Sequence, residues 1–162
     1  VPAAKLFADT DHLFWFAERL RGVAIENMPA LDFIADYDHE TAFFYVDPPY
    51  LKGTRKRGNK VYPHDDMADA DHEALAVALR NIRGMALVSG YAFNKDGTPN
   101  MLYRDLFEAH GWARVDMLAR IDGGGKAVES LWLCPRTQAA LATERAANAR
   151  PQQLSLVVDG VA

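Results

Sequence analysis

The turn Asp47-Pro48-Pro49-Tyr50 carries the clearest chemistry in this 162-residue chain. It follows the apolar run Phe43-Phe44-Tyr45-Val46, which reads as a short buried strand of a parallel sheet. Neither proline donates to a β-ladder and each pushes its predecessor extended, so the strand ends there. A carboxylate and a phenol ring are thereby fixed on a stiff turn at the carboxyl end of a central strand, where open α/β sheets take their ligands. Such a turn suits an amine held flat against an aromatic ring. Asp47 can accept one N–H, the carbonyl of Pro48 a second, and Tyr50 offers a face for stacking.

Three other polar stretches invite a chemical reading. Leu51 to Lys60 follows the turn, and five of its ten residues are cationic: Lys52, Arg55, Lys56, Arg57 and Lys60. Tyr62, His64, Asp65, Asp66, Asp69, Asp71 and His72 gather further on. Their spacing matches no closed zinc or calcium pattern, and several of the carboxylates suit a helix N-terminus, so no metal is expected. Asp122-Gly123-Gly124-Gly125-Lys126 has the glycines of a phosphate cradle. A cradle leads from a strand into a helix, whereas this stretch lies between two strands and reads as a flexible turn.

The elements that must hold these residues follow from apolar spacing. Asp9, Thr10 and Asp11 offer caps to a helix whose Leu13, Phe16, Ala17 and Leu20 make one buried face, widened by Phe14 and Trp15 and ended by Gly22. Val23-Ala24-Ile25 reads as a strand with Glu26 at its end. Asn27 and Pro29 then start a short helix with Leu31 and Ile34 inward. A helix to about Ile82 turns Leu75, Leu79 and Ile82 inward, with His72 bracing it. Met85 to Val88 is the next buried strand, and Ser89-Gly90-Tyr91 closes it on the rim of Asp47 if the two strands are parallel. Asn94 to Pro99 is loop, and Met101, Leu102, Leu106 and Phe107 mark a helix stopped by Gly111. Ala113 to Ile121 and Val128 to Leu133 form a hairpin. Residues 137–150 are alanine-rich and helical in pattern, and 151–162 read as a tail.

From about Leu6 to Pro135 the chain resembles the carboxyl-terminal half of Dam-like and phage-type adenine-specific DNA methyltransferases. The resemblance rests on Asp47-Pro48-Pro49-Tyr50 together with Arg19-Leu20-Arg21-Gly22-Val23-Ala24-Ile25-Glu26-Asn27 before it. Asp71-His72-Glu73-Ala74-Leu75, Leu87-Val88-Ser89-Gly90-Tyr91 and Glu129-Ser130-Leu131-Trp132 follow in family order. It implies an α/β fold with the Rossmann-like sheet of S-adenosylmethionine-dependent methyltransferases, closed by an antiparallel hairpin and lacking the first strands. Residues 1–136 would be a partial catalytic domain and 137–162 a helical or flexible tail.

The implied reaction moves a methyl group from S-adenosylmethionine to the 6-amino group of a flipped adenine in DNA, with Asp47, Pro48, Pro49 and Tyr50 catalytic. Glu26 and Asp47 would face the cofactor. Lys52, Arg55, Lys56, Arg57, Lys60, Tyr91 and Lys126 would meet DNA. Relatives acting on cytosine more often carry Ser at the first motif position and those acting on protein glutamine carry Asn, so Asp47 favours adenine. Restriction-modification and phage biology are the settings such a family implies.

The family's Phe-x-Gly-x-Gly cofactor loop has no counterpart in residues 1–46, where Gly22 is the only glycine. Removing the first strands leaves a gap and open sheet edges that favour association. A second chain, or an amino-terminal half outside this sequence, is the expected partner. A second reading stays open beside the enzyme: a catalytically inactive truncated remnant acting as a DNA-binding or oligomerising module. Composition narrows the field further. Net charge is −4, so DNA contact must come from local basic clusters. The single cysteine, Cys134, excludes an internal disulfide and fits a reducing cytoplasm. No apolar run approaches the roughly 20 residues of a membrane span.

Overall fold

The computed structural model describes residues 11–51, 54, 67–121 and 125–149. In chain order the elements are α1 (Asp11–Arg19), α2 (Ala30–Tyr37), β1 (Phe43–Val46), α3 (Asp69–Arg80) and β2 (Met85–Gly90). Then come α4 (Met101–Leu106), a 3₁₀ turn (Glu108–His110), β3 (Ala113–Ile121), β4 (Gly125–Leu133) and α5 (Pro135–Asn148). The strands form one sheet in the order β1-β2-β4-β3. β1 and β2 are parallel, joined by a crossover containing α3, and β4 runs antiparallel to both β2 and β3. This is a mixed α/β fold with a partly parallel sheet, and the expected hairpin closes it.

The core lies on one face of the sheet. Strand alternation puts Phe44, Ala86, Val88 and Trp132 on that face, where Ile34 of α2 and Leu75, Ala76 and Leu79 of α3 meet them. Tyr103, Phe107 and Trp112 complete it as an aromatic cluster, with Tyr103 edge-on to Trp132 at 5.0 Å and to Phe107 at 5.3 Å. Cys134 caps α5 as a buried small residue, accepting from the Thr137 N–H, and the Thr137 hydroxyl donates to the Ala86 carbonyl at 2.9 Å. The first turn of α5 is therefore fastened to β2.

The turn that delivers the chain from α3 into β2 is held by Asp38. Its carboxylate accepts the backbone N–H groups of Arg83 and Gly84 at 2.8 to 3.0 Å, which holds its carboxyl below the usual range. Gly84 is required there for space. A Cβ would sit 2.6 Å from the Ala42 carbonyl oxygen and 2.9 Å from that of His39, both backbone atoms. Met85 also donates to the Ala42 carbonyl at 2.8 Å, so the close approach at Gly84 sets where β2 begins relative to β1.

Several expectations are corrected. Helix α1 forms and ends near Gly22, whose φ of 82° suits glycine. Its expected buried face, however, is open: Leu13 is 63% and Phe16 53% exposed. An amphipathic pattern names the face that can be buried but supplies nothing to bury it against. Val23-Ala24-Ile25 is not a strand, and Ile25 is 91% exposed. A strand exists through its ladder, and β1 pairs only with β2 among the described residues. The strand expected to be central and buried, β1, is instead an edge strand of this sheet, and it is covered on one face only, with Phe44 inside and Phe43 and Tyr45 exposed. Leu31, expected inward, is exposed, while Ile34 is buried. Helix α5 starts two residues before the expected 137, and β4 starts at Gly125, so Gly125 and Lys126 belong to the strand. The tail 151–162 lies outside the described residues.

Gly84→Ala is expected to destabilise the fold by about 1–3 kcal/mol, read as a lower urea midpoint. Tyr103 gives a second test. Burial first, then the charge of Asp47, pushes its phenol well above the ordinary tyrosine value. A phenol that holds its proton more tightly when folded contributes stability below its unfolded value, about pH 10, and loses that contribution as pH rises further. Urea titrations should therefore show stability falling above about pH 10, with a shallower fall in Tyr103→Phe. Equal slopes in the two proteins would contradict this.

Candidate active site

The parallel pairing of β1 and β2 builds the site. Val46 stands opposite Val88, so the next residues, Asp47 and Ser89, emerge together at the carboxyl edge of the sheet. Ser89 is fully buried. Its hydroxyl donates to Asp47 Oδ1 at 2.7 Å and lies 3.3 Å from the Val46 carbonyl. Asp47 is exposed, Pro48 is buried, and Pro49 and Tyr50 are half-buried, so the turn rises from the core with its carboxylate outward. The turn is anchored beyond its end by buried Leu51 and Thr54, whose hydroxyl donates to the Leu51 carbonyl at 2.8 Å.

Tyr50 is held from β4 and from the residue that follows β2. Its hydroxyl donates to Glu129 Oε1 of β4 at 2.6 Å, and its ring meets Tyr91 edge-on at 4.8 Å and 78°. Burial, the bond to Glu129 and the charges of Asp47 and Glu129 push the Tyr50 phenol far above its ordinary value, against an opposing hydrogen bond from Ser89. Tyr91 is raised by burial and then by the same two carboxylates. Both tyrosines are neutral near pH 7 and present aromatic surface rather than charge.

On the other side of Asp47 lies a cleft of about 620 Å³, within the range of small-molecule sites. Its walls are apolar, from Phe33, Ile34, Phe44, Met67 and Leu75, and four acidic residues are among those that line it: Glu26, Asp32, Asp47 and Asp71. Glu26 accepts a hydrogen bond from Tyr37 at 3.3 Å, and Tyr37 stacks on Phe33 at 4.5 Å, so one face of α2 ties the unpaired 23–27 segment to the cleft. The Tyr37 phenol is raised chiefly by the Glu26 charge.

The structure thus brings together Glu26, Asp47, Pro48, Pro49, Tyr50 and Tyr91. Lys52, Arg55, Lys56, Arg57 and Lys60 lie outside the described residues, as do His64, Asp65 and Asp66. Lys126 stands on β4 opposite Arg120, at the far end of the hairpin strand from Trp132. Asp71 accepts the Ala68 N–H at 2.8 Å at the start of α3. His72 is buried with its Nδ1 3.0 Å from the Tyr103 hydroxyl, the bracing role expected of it.

Four residues of the site carry no role in the sequence reading: Ser89 and Glu129, which stand there only within family-like motifs, and Asp32 and Phe33, which are not singled out. Glu129 and Ser130 are two adjacent polar residues inside the apolar run of β4, which is a signal in itself. The alternation of a strand sends them to opposite faces. Ser130 donates to Asp116 at 2.8 Å, whereas Glu129 reaches Tyr50.

Among the described residues no helix is long and apolar enough to cross a membrane. No curated protein and no solved structure matches the chain. A family model does, over residues 4–119: that of the D12 class N6 adenine-specific DNA methyltransferases. Those residues include the Asp47 turn, the cleft beside it and the strand that carries Ser89, and the chain belongs to the D12 class N6 adenine-specific DNA methyltransferase family.

Proposed function

We propose that this chain is the catalytic portion of an S-adenosylmethionine-dependent DNA adenine methyltransferase, with a Rossmann-like sheet and its reacting centre at Asp47. The observation that carries the proposal is the position of Asp47. It lines the apolar, acid-rimmed cleft on one side and adjoins the Tyr50–Tyr91 aromatic pair on the other. We read residues 1–136 as the catalytic unit and 137–162 as an appended helix and tail. The family match supports this reading over that of an inactive remnant.

The residues of the cleft fit the cofactor. Apolar walls at Phe33, Ile34 and Leu75 suit a purine, carboxylates at Glu26 and Asp32 suit ribose hydroxyls, and four acidic side chains suit a cation. When bound there, S-adenosylmethionine supplies an electrophilic methyl group on a positively charged sulfur.

The chain's own residues prepare the amine. Adenine's amino lone pair is delocalised into its ring and attacks poorly. The Asp47 carboxylate accepts one N–H and the Pro48 carbonyl the other, which turns the lone pair toward the methyl group. The Ser89 hydroxyl bond to Oδ1 fixes the carboxylate while leaving lone pairs for the amine. Adenine is out of reach in a duplex, so it is flipped and stacked on Tyr50, with Tyr91 behind. Lys52, Arg55, Lys56, Arg57 and Lys60 neutralise the flanking phosphates, and Lys126 adds a cation from the hairpin. Catalysis here is positioning together with electrostatics at the amine.

Two variants test the assignment by mass-spectrometric measurement of N6-methyladenine in DNA incubated with S-adenosylmethionine. Asp47→Ala should lose at least about 10²- to 10³-fold in turnover with melting temperature and DNA affinity little changed. Ser89→Ala should lose less, about tenfold, because the carboxylate remains but is no longer held. Normal turnover in Asp47→Ala would refute the assignment.

A further inference from the structure

Asp47 and Tyr50 sit on the same turn but are tethered from different strands. Ser89 of β2 holds the carboxylate, and Glu129 of β4 holds the phenol. The turn itself has no ladder, because two prolines precede Tyr50 and its neighbours lie beyond the end of β1. Glu129, by contrast, stands on a strand paired with β3 at Met117, so its backbone is fixed. The Tyr50–Glu129 bond spans 79 residues and at 2.6 Å is a short, charge-assisted hydrogen bond. A half-buried carboxylate is costly to desolvate, and this one points at the aromatic pair.

We propose that Glu129 is a positioning residue: by accepting the Tyr50 hydroxyl proton it sets the plane of the ring on which the target base stacks. The inference rests on the reading of Tyr50 as the stacking surface. Tyr91 and Glu129 both bear on that plane, beside a hydrogen bond between Ser89 and the same phenol. Tyr91 packs edge-on at 4.8 Å and limits the tilt of the ring, and Glu129 pins its far end. With the Glu129 bond cut, the ring keeps its contact with Tyr91 and the Ser89 hydrogen bond but loses its charge-assisted anchor, and so gains freedom about its side-chain bonds. The base then spends less time with its amine between the Asp47 carboxylate and the Pro48 carbonyl. The loss falls on turnover rather than on DNA affinity, because phosphate contacts are made elsewhere. Glutamine at this position keeps an oxygen that accepts the same proton.

The test is a double-mutant cycle with the full chain on long amplified DNA, reading kcat and KM for N6-methyladenine formation. Glu129→Ala and Tyr50→Phe should each lower kcat about tenfold or more with KM for DNA little changed. The double variant should fall no further than the worse single one, and Glu129→Gln should retain most activity. A second readout needs no turnover. With ¹³Cζ-labelled tyrosine, the signal lost in Tyr50→Phe identifies Tyr50; it should shift in Glu129→Ala and stay near its original position in Glu129→Gln. An unshifted signal, undiminished kcat in Glu129→Ala, or losses that multiply in the double variant would overturn the role of Glu129. An unaltered chain that makes no N6-methyladenine would overturn the proposed function, and this role with it. Normal turnover of the unaltered chain with any of the first three results overturns the positioning role alone.

Discussion

Parallel pairing of β1 with β2 is the constraint from which the site follows. One ladder, with Phe43 opposite Met85 and Val46 opposite Val88, brings Asp47 to Ser89 although the two lie 42 residues apart. A slip by one residue would send Phe44 to the open face and turn Asp47 away from the serine. Register is secured at the opposite end. Gly84 lets the backbone of the α3–β2 turn approach Ala42, and Asp38 ties that turn down with its carboxylate. Contacts at the amino end of the strands therefore decide the chemistry at the carboxyl end.

Beneath the site the aromatic cluster supplies rigidity. Gly90 passes so close to Tyr103 and Trp132 that a Cβ there would fall 2.9 Å from the Tyr103 ring. Tyr103 in turn meets His72 of α3, so β2, α3, α4 and β4 converge under the Ser89–Tyr91 segment. That packing holds Ser89 where its hydroxyl can serve Asp47. Close-packed interiors transmit small displacements, so substitutions in this cluster act on the site without touching it.

Much of this was legible in the sequence because the signals were local. The Phe43–Val46 run stopped by two prolines, the Leu75–Leu79 spacing and the Met85–Val88 run each state their own conformation. Two such runs, if parallel, put Asp47 and Tyr91 on one rim, and the ladder is parallel. What failed depended on partners. Leu13 and Phe16 have the spacing of a buried face, and Val23-Ala24-Ile25 the composition of a strand, yet neither property creates the surface or ladder that would cover them. Glu129 escaped for a related reason. Its partner lies 79 residues away, and strand polarity alone does not say which distant hydroxyl it meets. Asp32 and Phe33 were passed over because a short helix hides which of its residues turn toward a cleft formed by β1 and α3.

Two features meet at Asp47: the Tyr50–Tyr91 aromatic pair, proposed to take a base, and the acid-lined cleft, proposed to take the methyl donor. The cleft is the feature on which the enzyme reading most depends, since the glycine loop typical of the family has no counterpart in residues 1–46. Calorimetric titration of the chain with S-adenosylmethionine tests it most directly. The account predicts saturable one-to-one binding that S-adenosylhomocysteine displaces. Absence of binding heat, with no rise in melting temperature at high cofactor concentration, would contradict the assignment of the cleft and leave Asp47 without a methyl donor.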